Sequence, residues 1–159
     1  MADRKQKRLR KKLSQKYKYA LATSKWEDGH GYVVMRLNDE QLLNWHTLPR
    51  KEGIESVNVA GESHHMKELQ EDCFTAGSEV KLIYEPDNPY GENAIAVWDA
   101  NERYHVGYIP KEESARILNK LQRGEIEKSL VMWEIHKRKK RVSIRLLLVS
   151  PGASLYILS

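Results

Sequence analysis

The apolar runs of this chain are short, and the segments joining them are short too. That spacing limits the fold more than any other feature of the sequence. Two parallel strands need a crossover of about a dozen residues or more, usually a helix, and most connections here lack that length. "EVKLIYE" (79–85) and "NAIAVWD" (93–99) are separated by seven residues, and "ANER" leads from the second into "HVGYIP" (105–110). "SLVMWEIH" (129–136) and "RVSIRLLLV" (141–149) meet across the cationic tip "KRKKR". "GYVVMRL" (31–37) and the Gly-ended "SVNVAG" (56–61) also read as strands. Antiparallel pairing is the expectation. "EVKLIYE" and "NAIAVWD" carry apolar residues on both faces, so both should be covered.

Helices are few. In "KEESARILNKLQRG", Glu112 and Glu113 sit near the start and Lys120 and Arg123 near the end, as the helix dipole favours. Ala115, Leu118 and Leu121 form its apolar line, and Gly124 is a natural stop. Met66, Leu69 and Cys73 have the spacing of a short helix with one buried face. "NDEQLLNWH" reads as another short helix with Asn38 as N-cap, followed by a linker, "TLPRKEG". The expected fold is mainly β with two short helices, a small barrel or curled sheet of about six strands with an N-terminal extension. Its parts are a basic tail (1–19), an appended strand–helix subregion (20–54), the main domain (55–150) and a C-terminal tail (151–159).

Charge is unevenly distributed along the 159 residues. Residues 1–19 hold nine Lys/Arg and one acid, and 137–159 hold six Lys/Arg and no acid. The stretch between has a net charge of −9, although the whole chain carries +5. Clustered cations neutralise phosphates and steer polyanions. The basic tail also reads as a solubilising segment, disordered alone, although Leu9, Leu13 and Tyr17 have the spacing for a helix on a partner. A single cysteine excludes an intramolecular disulfide and suits a reducing compartment. No apolar stretch reads as a secretory signal or a membrane span. The expected location is cytoplasmic, nucleoid-associated if the source is bacterial, with no membrane partner.

The densest turn chemistry is "YEPDNPYGENAIAVWD" (84–99). Asp87 and Asn88 can bond their own backbone. Pro89 fixes φ and pushes Asn88 toward extended geometry. Tyr90 is therefore presented on a rigid loop, Gly91 allows positive φ, and Asn93 re-enters the next strand. The residues alone leave two readings open: a binding loop, or a well-made β-connection whose tyrosine caps the core.

"VNVAGESHH", "EVKLIYEPDNPYGENAIAVWD" and "HVGYIPKEESARIL" occur in order and together resemble the HIRAN domain family over residues 55–150. The resemblance implies a modified OB-like barrel and a DNA-binding module. In the best-understood eukaryotic member that module captures the 3′ end of single-stranded DNA. It also implies site residues: His64 and His65 as the aromatic pair after the first strand, the turn residues Asp87, Asn88, Tyr90 and Asn93, then Tyr108 and Lys111. Such residue types suit the task, since aromatic faces stack on bases and a lysine at a helix N-terminus favours phosphate. The cationic tip Arg138, Lys139, Lys140 and Arg141 is expected to add phosphate contacts. This chain departs from the family at three places. Gly91 stands where an acid commonly meets the terminal hydroxyl, the aromatic pair is His–His rather than Tyr–Tyr, and Ser63 replaces a basic residue. The expectation is single-strand or DNA-end binding with relaxed 3′ recognition, in DNA repair, replication or mobile-element defence. The alternative is a protein-interaction adaptor whose "NPYGEN" surface takes a peptide.

Other chemistries are weaker. Histidine, cysteine and glutamate at His64, His65, Glu68 and Cys73 are zinc-ligand types, but adjacent histidines on one strand end point apart and Cys73 falls on an apolar helix line. No metal or cofactor is expected. There is no G-x-S-x-G elbow and no G-x-x-x-x-G-K-[ST] loop, and turn capping accounts for Asp87, Glu92 and Asp99. The chain is expected to be no enzyme, with any helicase, nuclease or other DNA-processing activity residing in a partner.

Overall fold

The computed structural model describes residues 18–157 together with Arg4. The expected helix through Leu9, Leu13 and Tyr17, and the basic tail apart from Arg4 and its last two residues, lie outside the described residues.

Among the described residues, ten strands form two sheets. The first three are β1 (Lys18–Trp26), β2 (Gly29–Arg36) and β3 (Gln41–Leu43), followed by β4 (Ile54–Asn58), β5 (Val80–Tyr84), β6 (Ile95–Asp99) and β7 (His105–Tyr108). The long hairpin β8 (Lys128–Lys137) and β9 (Lys140–Val149) follows, and β10 (Ser154–Ile157) closes the series. Helix α1 (Met66–Leu69) is one turn long, and α2 (Lys111–Gln122) has 12 residues. The larger sheet runs β10-β1-β2-β8-β9-β4 with β3 paired to β2, and the smaller runs β5-β6-β7. Pairing is antiparallel throughout except between β1 and β10.

Two isolated bridges, Ala60 with Tyr108 and Glu79 with Leu130, join the sheets at their seams. Strands β4, β7, β6, β5, β8 and β9 therefore lie in a ring of six, the expected OB-like arrangement. The ladders stop at the seams, so the sheets do not close into a continuous barrel. At one seam the Ala60 and Tyr108 backbones exchange hydrogen bonds of 2.7 and 2.8 Å. Gly107 makes this approach possible, because a Cβ there would stand 2.5 Å from the Ala60 carbonyl oxygen.

Inside the ring, Val59, Leu69, Phe74, Ile95, Val97, Val106, Ile117, Ile144 and Leu146 form one buried cluster. A second cluster joins Tyr19, Leu21, Val34 and Leu43 of the N-terminal strands to Leu130, Met132, Leu147 and Val149 of β8 and β9. The first three strands thus share a sheet and a core with the main domain.

Several elements differ from the sequence reading. Lys18 and Tyr19, counted with the tail, begin β1, and Tyr19 is buried. Residues 38–46 are not a helix. Asp39 pairs with Arg36 and accepts the Gln41 N–H, which turns the chain into β3 and buries Leu43. Cys73 is not on the helix of Met66 and Leu69, which stops at Leu69. It lies in the separate 3-10 turn Asp72–Phe74. Ser154–Ile157, read as tail, pairs parallel with β1.

Candidate nucleic-acid interface

The β5–β6 connection folds around its own side chains. The Asn88 carbonyl oxygen Oδ1 accepts the Tyr90 N–H at 2.8 Å, and the Asn88 amide Nδ2 donates to Glu85 Oε1 at 2.9 Å. The Tyr108 hydroxyl donates to the same Glu85 oxygen at 3.0 Å. From this braced turn Tyr90 projects with 89 % of its surface exposed. Tyr84 adds a bond from its hydroxyl to the Glu92 carbonyl.

Beside the turn lies a groove of about 730 Å³. His64, His65, Asn88, Tyr90, Asn93, Tyr108 and Lys111 all line it, as do Gly91 and Glu92. Of the twelve expected site residues, these seven are brought together. His64 sits not on a strand end but in the 3-10 turn Glu62–His64, and His65 caps that turn. Burial and the neighbouring His105 hold His65 below the ordinary imidazole range, which favours the neutral ring. Tyr108 is shifted up by burial and by its bond to Glu85, so its hydroxyl stays a donor. Lys111 opens α2, whose N-cap, Pro110, supplies no capping side chain. Lys111 and Ser114 of that first turn line one end of the groove.

Five residues stand elsewhere. Asp87 is exposed on the outer side of the turn, away from the groove lining. Arg138 and Lys139 form the two-residue β8–β9 turn with φ of 53° and 65°, exposed with Lys140. Arg141 is not part of that cationic tip. The β8–β9 register places Ser143 opposite Ile135 but Arg141 opposite His136. This bulge at Val142 turns Arg141 inward, where strand alternation would have pointed it outward. The residue is 9 % exposed, and its guanidinium donates to Glu134 Oε1 and to the Leu69 and Glu71 carbonyls at 2.6–2.9 Å. Asn88 also differs from the reading, since its amide is committed to the turn. Gly91 does not use positive φ.

The sequence reading missed Glu85, His105 and Trp98. The His105 ring stacks on Trp98 at 5.0 Å and 16°, meets His65 at 4.5 Å and takes Tyr108 edge-on at 4.9 Å. Alternation along β6 and β7 was the available signal, because their register places Trp98 opposite His105. Asp99, weighed as a metal carboxylate, is buried and accepts the N–H groups of Asn101, Arg103 and Tyr104. It holds the β6–β7 turn.

Residues 55–150 match the HIRAN domain. The chain belongs to the HIRAN domain family. HIRAN is a binding-domain family whose members bind DNA. Among solved structures, a Lactobacillus plantarum protein is 22 % identical, with a TM-score of 0.47, covering 58 % of this chain and 87 % of that one. The HIRAN domain of human HLTF is 19 % identical, with a TM-score of 0.45, covering 62 % of this chain and 76 % of that one. No curated protein matches the chain. Strands β1 to β3 and β10 lie outside the HIRAN match. Among the described residues no helix is long and apolar enough to cross a membrane.

Proposed function

We propose that this HIRAN domain binds single-stranded DNA in the groove between the β5–β6 turn and the N-terminus of α2. The observation that carries the proposal is Tyr90: a large aromatic ring, almost fully exposed, on a turn whose internal hydrogen bonds hold it still. An exposed ring on a braced backbone suits base stacking, which tolerates any base. His64, His65 and Tyr108 extend the platform. Lys111 and the uncapped first turn of α2 suit a phosphate. Asn93, on the groove wall, suits a base edge.

Recognition of a 3′ end is relaxed in this reading, because Gly91 brings no carboxylate to the groove. The protein acts as a non-catalytic accessory that delivers a strand to a DNA-processing enzyme. The test is a polarisation titration with short labelled single-stranded DNA, duplex DNA and single-stranded RNA. Single-stranded DNA should bind tightest, and Tyr90→Ala should weaken it by roughly ten- to a hundredfold. Equal affinity for all three, or wild-type affinity in folded Tyr90→Ala, overturns the reading and leaves peptide capture by the same surface as the alternative.

A further inference from the structure

The sequence Gly29-His30-Gly31 lies where β2 pairs with β8, with His30 opposite Glu134. A Cβ at Gly29 would stand 2.4 Å from the Glu134 carbonyl oxygen, and one at Gly31 would stand 2.2 Å from that of Met132. Glycine on both sides of His30 therefore lets β2 settle closely on β8. On β8, Glu134 and His136 are two residues apart, so the pleat puts both on one face. His30 Nε2 lies 2.6 Å from Glu134 Oε2, and His136 Nε2 lies 3.1 Å from Oε1. The ligand atoms of the three residues fall within 4.8 Å of one another.

The carboxylate is held in place. Ala76 N–H donates to Oε2 and Arg141 Nε to Oε1, leaving the other side of each oxygen toward an imidazole. Burial opposes the Glu134 charge, but Ala76, Arg141 and His136 outweigh it and keep the group below the usual carboxylate range. Both imidazoles remain partly exposed. Beside His30 and Glu134 opens a cavity of about 710 Å³, lined also by Thr23, Ser24, Lys25, Tyr32 and Thr75.

We propose that His30, Glu134 and His136 bind a divalent transition-metal ion, zinc by ligand class, with water from the adjacent cavity completing its coordination. Two imidazoles and one carboxylate with an open position are a known zinc ligand set. Ligation through Nε2 places each imidazole's hydrogen on Nδ1. Bonds of about 2 Å in a tetrahedral set hold donor atoms roughly 3.3 Å apart, so His30 Nε2, 2.6 Å from Oε2, must draw back to admit the ion. The Arg141 charge lowers affinity for any cation, so selectivity rests on imidazole and favours zinc, copper or nickel over magnesium or calcium. A bound ion would tie β2, outside the HIRAN match, to β8 within it.

The test uses the tag-free full chain, washed with chelator and titrated with Co²⁺. Saturable visible absorption bands of a single site are expected, displaced by Zn²⁺ but not by Mg²⁺, and Zn²⁺ should raise the melting temperature. His30→Gln and His136→Gln retain an amide N–H for Glu134 but ligate poorly, and each should abolish the bands while melting stays cooperative. His46→Ala should keep them. The proposal is overturned if the folded wild type shows no bands, or if the double glutamine variant binds Co²⁺ as the wild type does.

Discussion

The Tyr108 hydroxyl and the Asn88 amide donate to one oxygen of Glu85, at 3.0 and 2.9 Å. A single carboxylate thus couples the groove wall on β7 to the turn that presents Tyr90. Glu85→Ala takes the acceptor from both partners. Both donors are only part-buried, so water replaces some of the lost bonding. The cost lies at the low end of the ~1–3 kcal/mol of a buried unmatched donor, and the variant should still unfold cooperatively but at a lower temperature. Its affinity for single-stranded DNA should fall by about tenfold, because Tyr90 loses the pre-organisation that limits the entropy cost of binding. Thermal melting and polarisation read the two effects separately. Wild-type affinity in a folded Glu85→Ala variant would show that Tyr90 needs no brace.

Gly91 offers a gain-of-function test. It lines the groove, and a Cβ there would meet nothing within 4 Å. Its φ lies outside the left-handed region, so an L side chain fits without strain. Gly91→Asp should fold normally and acquire a preference for an oligonucleotide ending in 3′-hydroxyl over the same one ending in 3′-phosphate. The wild type should distinguish them weakly. A strong wild-type preference for the hydroxyl would mean that Glu92 or a backbone group already performs the recognition.

The parts of this molecule legible in the sequence are those governed by local rules. The hairpins of the ring follow from short apolar runs and turn residues, and α2 from its charge order and closing glycine. The β5–β6 turn was legible through "EPDNPYGEN" because a dense local hydrogen-bonding motif folds on itself, whereas the grouping of His64, His65, Tyr108 and Lys111 beside it came only from the family resemblance. Pairings decided by remote partners were not legible. Strand β10 exists because β1 offers it an edge 136 residues earlier in register, Lys18 to Ser154. The inward turn of Arg141 depends on a one-residue bulge that leaves no composition signal. Asn88 looked like a ligand group, yet its amide is used by the fold.

The cationic tip separates two roles that the sequence merged. Arg138 and Lys139 occupy a turn with positive φ at both central positions, which favours Asn-Gly. Replacing them together, Arg138→Asn with Lys139→Gly, removes two charges while suiting the turn, so stability should hold or rise. If the tip touches DNA, the slope of log affinity against log salt should flatten by about 0.7 for each phosphate no longer neutralised. Arg141→Ala should act differently. It leaves the buried Glu134 charge without its cation, a loss of about 3–5 kcal/mol, visible as a large drop in melting temperature. An unchanged salt slope in the turn variant would leave the tip as a solvated hairpin.

Glu62 gives the groove a pH-dependent support. It follows Gly61 at the start of the turn that carries His64 and His65, and it is buried. Burial raises its pKa to about 7, although the Ile144 N–H and the Ser143 hydroxyl donate to it and partly offset that effect. The folded pKa lies above the unfolded one, so the contribution of Glu62 is complete below about 4.3 and is lost as pH rises through about 7. Charging the buried group is what weakens the fold. Glu62→Gln retains an acceptor for Ile144 and removes the charge. Relative to wild type, the variant should therefore gain stability between about pH 5 and pH 8, by up to about 3 kcal/mol at 1.36 kcal/mol per unit. Glu55, Glu134 and Asp99 are held below the usual carboxylate range and lose stability toward acid, but they are common to both proteins and cancel in the difference. Chemical denaturation of the pair across that range checks the prediction. A difference that does not change with pH would mean that Glu62 ionises alike in the folded and unfolded chain, and that its place under the histidine turn carries no proton linkage.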